Sequence, residues 1–206
     1  MWTRNTWMKW GIGLFLMATG AVTGSSVAMA APATHPQPKM TEAGFWKLLG
    51  EKLTFIQEGH KGPVIYDFFD PGCTYCYTLY NEEQPLIRTG QLTVRYVPVA
   101  YLLPSSAPEA AALLQSPNPL SALQHFEPIV GKSFGKPLGA SGVPGLPSAK
   151  VLPMTAQELK ENIGLLQSAR AMGVPAILYD QKNSKVGLVQ GMISRQGLIT
   201  MLPHLQ

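Results

Sequence analysis

Pro63-Val64-Ile65-Tyr66-Asp67-Phe68-Phe69 runs into Asp70-Pro71-Gly72 and then into Cys73-Thr74-Tyr75-Cys76. The first seven residues are an almost unbroken apolar run, the pattern of a strand buried on both faces. Asp-Pro-Gly interrupts it, and a helical stretch opens around Cys73, continues toward Ile87 and is closed by Thr89-Gly90. Leu92-Thr93-Val94-Arg95-Tyr96-Val97-Pro98-Val99 then alternates as a second strand. Strand, helix and strand in this order imply a parallel pair joined by a right-handed crossover. The chain is therefore expected to be α/β around its two cysteines.

Working outward, apolar residues at Phe45, Leu48, Leu49, Leu53 and Ile56 keep helical spacing, with Thr41 as N-cap and Gly59 as the end. Downstream, Pro108–Gln115 and Pro119–Val130 read as helices, Gly131–Lys150 as a Gly/Pro-rich loop, and Thr155–Met172 as a helix with Thr155 and Glu158 in capping-box positions. Pro175–Tyr179 and Lys185–Gln190 read as two strands of a hairpin, and Ser194–Leu202 as a final helix. The predicted order is β–α–β, a mainly helical insertion over about 104–172, then β–β–α.

The N-terminus carries a different signal. Arg4 and Lys9 precede an uncharged, largely apolar run from Trp10 to Val22, followed by the small-x-small site Ala28-Met29-Ala30. That is the layout of a secretory signal peptide, and the run is short of the ~20 residues a membrane span requires. Residues 1–30 are read as a leader cleaved after Ala30, with an uncleaved anchor as the competing reading. Residues 31–62 are read as a Pro-rich tether plus a linker-like helix, and 63–206 as the folded domain. Export puts the domain where disulfides form and persist. With 206 residues, 46% hydrophobic and 14% charged, the chain can bury a core and is not disordered. Its net charge of +4 is too slight to indicate nucleic-acid binding, and none is expected.

The cysteine pair carries the chemistry. At a helix start, unpaired backbone N–H groups and the helix dipole favour a negative charge on the first sulfur, and the thiolate is the species that attacks a disulfide. The second thiol, one turn on, is near enough to resolve a mixed disulfide. Cys73 is read as the attacking residue and Cys76 as the resolving one. A zinc site requires four ligands, and His35, His60, His125 and His204 are scattered, so neither metal nor cofactor is expected. An inert disulfide stays open, although a bridge closing so short a loop restrains the unfolded chain little. Asp67 has two readings: a buried acid that takes the proton of Cys76, or an ordinary strand carboxylate. Asp70 is read as shaping the turn and capping the helix. Phe69, Tyr75, Tyr77 and Val174 are candidates for an apolar client surface, with Phe69 and Tyr77 also readable as core. Gly131-Lys132-Ser133 lacks the upstream glycine of a phosphate loop, and Glu82-Glu83 is read as a solvated helix face.

The stretch Val64–Leu103, with Asp70-Pro71-Gly72-Cys73-Thr74-Tyr75-Cys76, resembles the catalytic domain of the bacterial DsbC/DsbG thiol:disulfide interchange proteins, as does Gly173-Val174-Pro175-Ala176-Ile177-Leu178-Tyr179. The resemblance covers about Phe45 to His204. It implies a thioredoxin-like fold with a helical insertion between the βαβ and ββα halves. It also implies disulfide exchange with cysteine-containing exported proteins in the periplasm, and a membrane redox partner of DsbB or DsbD type. Val174-Pro175 would be a cis-proline loop facing the cysteines and pairing with an extended client; otherwise Pro175 merely begins an edge strand. Thr74 and Tyr75 would tune the thiolate, with a neutral tyrosine where the strongest oxidant of the group has histidine. Only Ala31–Gly62 precedes the first expected strand, so no N-terminal dimerisation domain is expected, and the chain reads as a monomer. Val174, where the isomerases have threonine, leans toward the oxidases, and the direction of electron flow stays open. A chaperone or binding module with a structural disulfide is the alternative, and copper or haem-related thiol handling a third reading.

Overall fold

The computed structural model describes residues 40–136 and 142–206; the expected leader, the Pro-rich stretch before Met40 and part of the Gly/Pro-rich loop lie outside the described residues. The elements follow in the order α1 (Glu42–Lys52), β1 (Ile56–Glu58), β2 (Val64–Phe69), α2 (Thr74–Arg88), β3 (Thr93–Pro98), α3 (Ser106–Leu114), α4 (Pro119–Gly131), α5 (Pro153–Ser168), β4 (Ala176–Asp180), β5 (Val186–Gln190) and α6 (Arg195–Met201), with a final 3₁₀ turn Leu202–His204. The five strands form one sheet in the order β1-β3-β2-β4-β5. As expected from the crossover, β2 and β3 are parallel, with Asp67 opposite Tyr96; the other pairs are antiparallel.

Alternation along β2 divides the interior. Ile65 and Phe69 face one core with α2, α4 and α6, which supply Leu79, Leu86, Phe126, Val130 and Leu198. Tyr66 and Phe68 face the other, against Leu49 and Leu53 from the α1 region and Leu166 of α5. A strand covered on both faces must be apolar on both, which is why Val64–Phe69 reads as a continuous run. Asp67 is the exception, on the α2 side.

Three expectations are corrected. The first helix stops at Lys52, and Ile56 belongs to β1, a short edge strand antiparallel to β3. Ile56 fits the helical period as well as a strand, and three residues give too little alternation to separate the two. The helix read as linker-like is built into the domain, packing Leu49 and Leu53 on the sheet. In α5 the first helical residue is Pro153, with Leu152 as N-cap; Thr155 lies inside the helix and its hydroxyl donates to Gln115 Oε1 at 3.0 Å. Proline is preorganised for a helix start, and the Gln115 side chain also takes the Leu152 N–H at 3.0 Å, so the terminus is satisfied from α3's end and no box is required. Thr41 does cap α1, accepting the Gly44 N–H at 3.0 Å.

A buried polar clamp joins α5 to the sheet. Asn162 Nδ2 donates to the carbonyls of Thr54 (2.9 Å) and Pro98 (2.8 Å), and its Oδ1 accepts the Thr54 N–H at 3.0 Å. Asn162→Ala strips partners from buried backbone groups, and is expected to lower unfolding free energy by about 2–3 kcal/mol. Urea unfolding measures this, and a loss under about 1 kcal/mol would contradict the clamp's importance.

Candidate active site

The turn after β2 delivers Cys73 to the N-cap of α2. Its N–H donates to the Asp70 carbonyl at 2.8 Å, and its carbonyl accepts the amides of Cys76 (3.1 Å) and Tyr77 (3.4 Å). Cys73 Sγ takes the side-chain cap position, accepting the Cys76 N–H at 3.2 Å. The Cys73 sulfur therefore sits against the free amides of a fifteen-residue helix, where an anion is favoured. The two cysteines are joined as a disulfide with their Cα atoms 5.3 Å apart. Both border the core, Cys76 the more deeply.

Asp70 holds the turn without capping α2. Its buried carboxylate accepts the Gly72 N–H (2.9 Å) and Ser106 hydroxyl (2.6 Å) at Oδ1, and the Tyr101 (2.8 Å) and Leu102 (3.0 Å) amides at Oδ2. Cys73 occupies the cap position itself, which frees Asp70 to bind the turn to the β3–α3 connection.

Across the sulfur lies the loop before β4. The Val174 carbonyl oxygen is 4.0 Å from Cys73 Sγ, and the Val174–Pro175 peptide bond is cis. β4 lies between β2 and β5, so Pro175 does not begin an edge strand. Tyr75 is 62% exposed, whereas Phe69 is buried in the α2-side core and cannot line an apolar surface. Tyr77 is half-buried, its ring filling the space a side chain on Gly131 would occupy. Thr74 is half-buried, its carbonyl accepting the Thr78 hydroxyl at 3.4 Å. The Tyr75 ring meets exposed Phe134 edge-on at 5.7 Å, and Tyr101 and Leu102 add further exposed apolar surface beside the Asp70-bound turn.

On the α2 side of β2, Asp67 is 1% exposed and its Oδ1 lacks a hydrogen-bond partner. Burial pushes its carboxyl up to about 8; Asp67 is not a solvent-facing strand carboxylate. Glu83 reverses its expectation: it is 0% exposed, on the inner face of α2 with Cys76, Leu79 and Leu86. Seven residues after Cys76 and four after Leu79, its spacing carried that signal. Glu82 does lie outward, accepting the Arg195 N–H at 2.7 Å. Sequence reasoning also missed Glu127, buried on α4, whose carboxyl burial pushes up to about 8. Tyr96 and Phe134 were missed as well, since neither belongs to a local motif. Among the described residues no three His, Cys, Asp or Glu converge so as to hold a metal ion, and no helix is long and apolar enough to cross a membrane.

No family model matches the chain. Curated relatives do: thiol:disulfide interchange protein DsbG of Pseudomonas aeruginosa is 30% identical over 143 residues, 68% of this chain and 52% of that protein. DsbG of Escherichia coli is 28% identical over 168 residues, 82% of this chain and 61% of that protein. The chain thus spans little more than half the length of these relatives. Among solved structures, the catalytic domain of Proteus mirabilis ScsC superposes with a TM-score of 0.58 at 16% identity, covering 78% of this chain and 96% of that one. A periplasmic thioredoxin-like protein from Salmonella enterica serovar Typhimurium gives 0.57 at 17% identity, covering 76% and 94%. The fold is thioredoxin-like, and the sequence is DsbG-like.

Proposed function

We propose that this DsbG-like chain is an exported thiol:disulfide oxidoreductase that exchanges disulfides with cysteine-containing exported proteins through Cys73 and Cys76. The observation carrying this reading is the position of Cys73 Sγ as the N-cap of α2, accepting the Cys76 N–H at 3.2 Å. Amides and dipole there stabilise the thiolate and lower its pKa toward working pH.

In the reducing direction, Cys73 thiolate attacks one sulfur of a client disulfide. A Cys73–client bond forms, the client's own bond breaks, and the departing thiolate takes a proton from water. Cys76, deprotonated, then attacks Cys73 Sγ and expels the second client thiolate. Two electrons have passed to the client and the Cys73–Cys76 disulfide is formed. The oxidising direction is the reverse. Which one operates follows from the potential of the couple, and ~30 mV against a glutathione buffer corresponds to ~1.4 kcal/mol.

Each neighbour has a part. Asp67 accepts the proton of Cys76, its raised pKa bringing it close to that of a thiol and so to efficient transfer. The backbone at Val174 and Pro175, with the Val174 carbonyl 4.0 Å from the reactive sulfur, borders an extended client segment. Tyr75, exposed and neutral, offers an apolar face to that segment, and Thr74 and Tyr75 add no charge to the thiolate's surroundings. Location rests on the leader-like pattern of Arg4, Lys9, Trp10–Val22 and Ala28-Met29-Ala30, which supports export to the periplasm. Turnover there calls for a membrane partner of DsbB or DsbD type to reset the couple.

The test is trapping. Cys76→Ala should accumulate client mixed disulfides through Cys73, and the double Cys→Ala variant should accumulate none. A reduced Cys76→Ala protein whose Cys73 forms no adduct with disulfide-bearing polypeptides, and alkylates no faster than a free thiol, would remove the proposal.

A further inference from the structure

Resolution by Cys76 puts a proton on Asp67, and that proton must leave. Asp67 is 1% exposed, so the proton has no direct path to water. Three further elements surround it with groups the exchange chemistry has not used. Glu83 on α2 and Glu127 on α4 are buried on the same side of the sheet, and Tyr96 of β3 lies directly opposite Asp67 in the parallel ladder. Both oxygens of Glu83, Oε2 of Glu127, Oδ1 of Asp67 and the Tyr96 hydroxyl have no hydrogen-bond partner. The Tyr96 hydroxyl nevertheless stands beside the Glu83 carboxyl, and Asp67 and Glu127 act on Glu83 electrostatically. Buried polar atoms are almost always satisfied, so this many orphans in one layer, a phenol among them, calls for an explanation.

The layer ends at the β1 edge of the sheet. Glu58 of β1 accepts from Gln84 Nε2 of α2 at 2.8 Å and from Gln124 Nε2 of α4 at 2.7 Å. Gln84 adjoins Glu83, and Gln124 is one helical turn before Glu127. Glu58 therefore joins the two helices that carry the buried acids and keeps a small exposure at the far side from Val174. Seven residues along α2 put Glu83 roughly 10 Å from Cys76, too far to take the thiol proton itself and well placed to take it from Asp67's neighbourhood.

We propose that Glu83 and Glu127, together with the Tyr96 hydroxyl, form a proton exit that carries the Cys76 proton from Asp67 to Glu58 and out at the β1 edge. This rests on the oxidoreductase reading above. Balance is simple: Cys76 loses one proton to Asp67, Asp67 returns to carboxylate as its proton moves to Glu83, directly or across the Tyr96 hydroxyl, each group giving up its own proton as it takes the next, and Glu58 releases one to water. The chemistry requires no other reactant. The same route in reverse supplies the proton when the couple is reduced. The titratable groups facing this route are Asp67 from β2, Tyr96 from β3, Glu58 from β1, Glu127 from α4, and Tyr80 and Arg88 from α2. Glu83, Glu127 and Tyr96 are positioning residues, since none touches the reacting sulfurs.

The experiment is single-turnover resolution of a preformed Cys73–glutathione mixed disulfide from pH 6 to 9 in Glu83→Gln, Glu127→Gln, Tyr96→Phe and the double Gln variant. Each variant is compared with the parent after its Cys73 alkylation rate has been shown to match. The exit predicts resolution about tenfold slower in Glu83→Gln, a smaller slowing in Tyr96→Phe, which removes no carboxylate, and a double Gln variant no slower than its slower single. Should Glu83→Gln fail to fold, Tyr96→Phe carries the test. A resolution rate within twofold of the parent in Tyr96→Phe or in a folded Glu83→Gln overturns the exit. Failure of the parent itself to form the mixed disulfide would strike the oxidoreductase reading instead.

Discussion

Asp70→Ala is expected to lower the unfolding free energy by about 4 kcal/mol, the largest single-site loss anticipated outside the apolar core. One buried carboxylate accepts from Gly72, Tyr101, Leu102 and Ser106, at 2.6–3.0 Å. Three of those donors are backbone amides, which cannot rotate to seek other partners. Hydrogen bonds to a charged acceptor contribute ~1.5–3 kcal/mol each, and orphaned buried donors add their own cost. The bonds are not additive, because one side chain supplies all of them, so a figure near the cost of breaking a buried ion pair is the reasonable expectation. Asp70→Asn keeps the volume and turns one acceptor into a donor that faces donors, so its loss should fall between wild type and alanine. Urea midpoints with an unchanged m-value would measure both. The consequence reaches the sulfur, because the Cys73 N–H is bonded to the Asp70 carbonyl at 2.8 Å. Loosening that turn unseats Cys73 from the helix end, so Asp70→Ala should also slow Cys73 alkylation. A loss below about 1 kcal/mol with normal alkylation would show that the turn holds without its anchor.

What the chain disclosed in advance follows from how local each signal is. The apolar run Val64–Phe69, the Asp-Pro-Gly break and the CxxC at a helix start are consecutive, and each constrains the next; strand, turn and N-cap were all legible. Thr41 was legible for the same reason, since a cap acts three residues away. β1 was hidden because Ile56 suits either period and pairing with Tyr96 forty residues away decides between them. Glu83 was misjudged through residue type: a glutamate pair looks solvated, yet its spacing from Cys76 and Leu79 put it on the inner face. Periodicity outranks chemistry there because α4 covers that face. Phe134 against Tyr75 could not be read at all, since the contact joins the middle of the insertion to the CxxC with no pattern linking them.

Replacing Asp67 with asparagine should leave stability almost unchanged at pH 3 and raise it by on the order of 2–3 kcal/mol at pH 9, measured on the disulfide form by urea unfolding. Burial raises the folded-state carboxyl from 3.8 to about 8. Between these values the folded protein keeps the proton that the unfolded chain has released. The unfolded state then binds fewer protons, so stability falls with rising pH across this window. The contribution is fully present below the unfolded value near 4 and is lost as pH passes through about 8. Asparagine carries no proton and removes that slope. A tenfold change in acid strength between the two states corresponds to ~1.4 kcal/mol, so the full rise would exceed the figure given. The smaller expectation reflects relaxation and water entry around the charged form of a buried acid; Glu83 and Glu127, which burial raises in the same direction, keep their slope in wild type and variant alike and cancel in the difference. Wild-type stability that is flat or rising from pH 5 to 8 would refute this linkage. The gain has a counterpart in the proposed function: if Asp67 is the acceptor of the Cys76 proton, Asp67→Asn should slow resolution of the mixed disulfide even as the fold strengthens. A destabilising acid kept on the strand that leads into the CxxC fits the proposed need to move a proton through a dry interior.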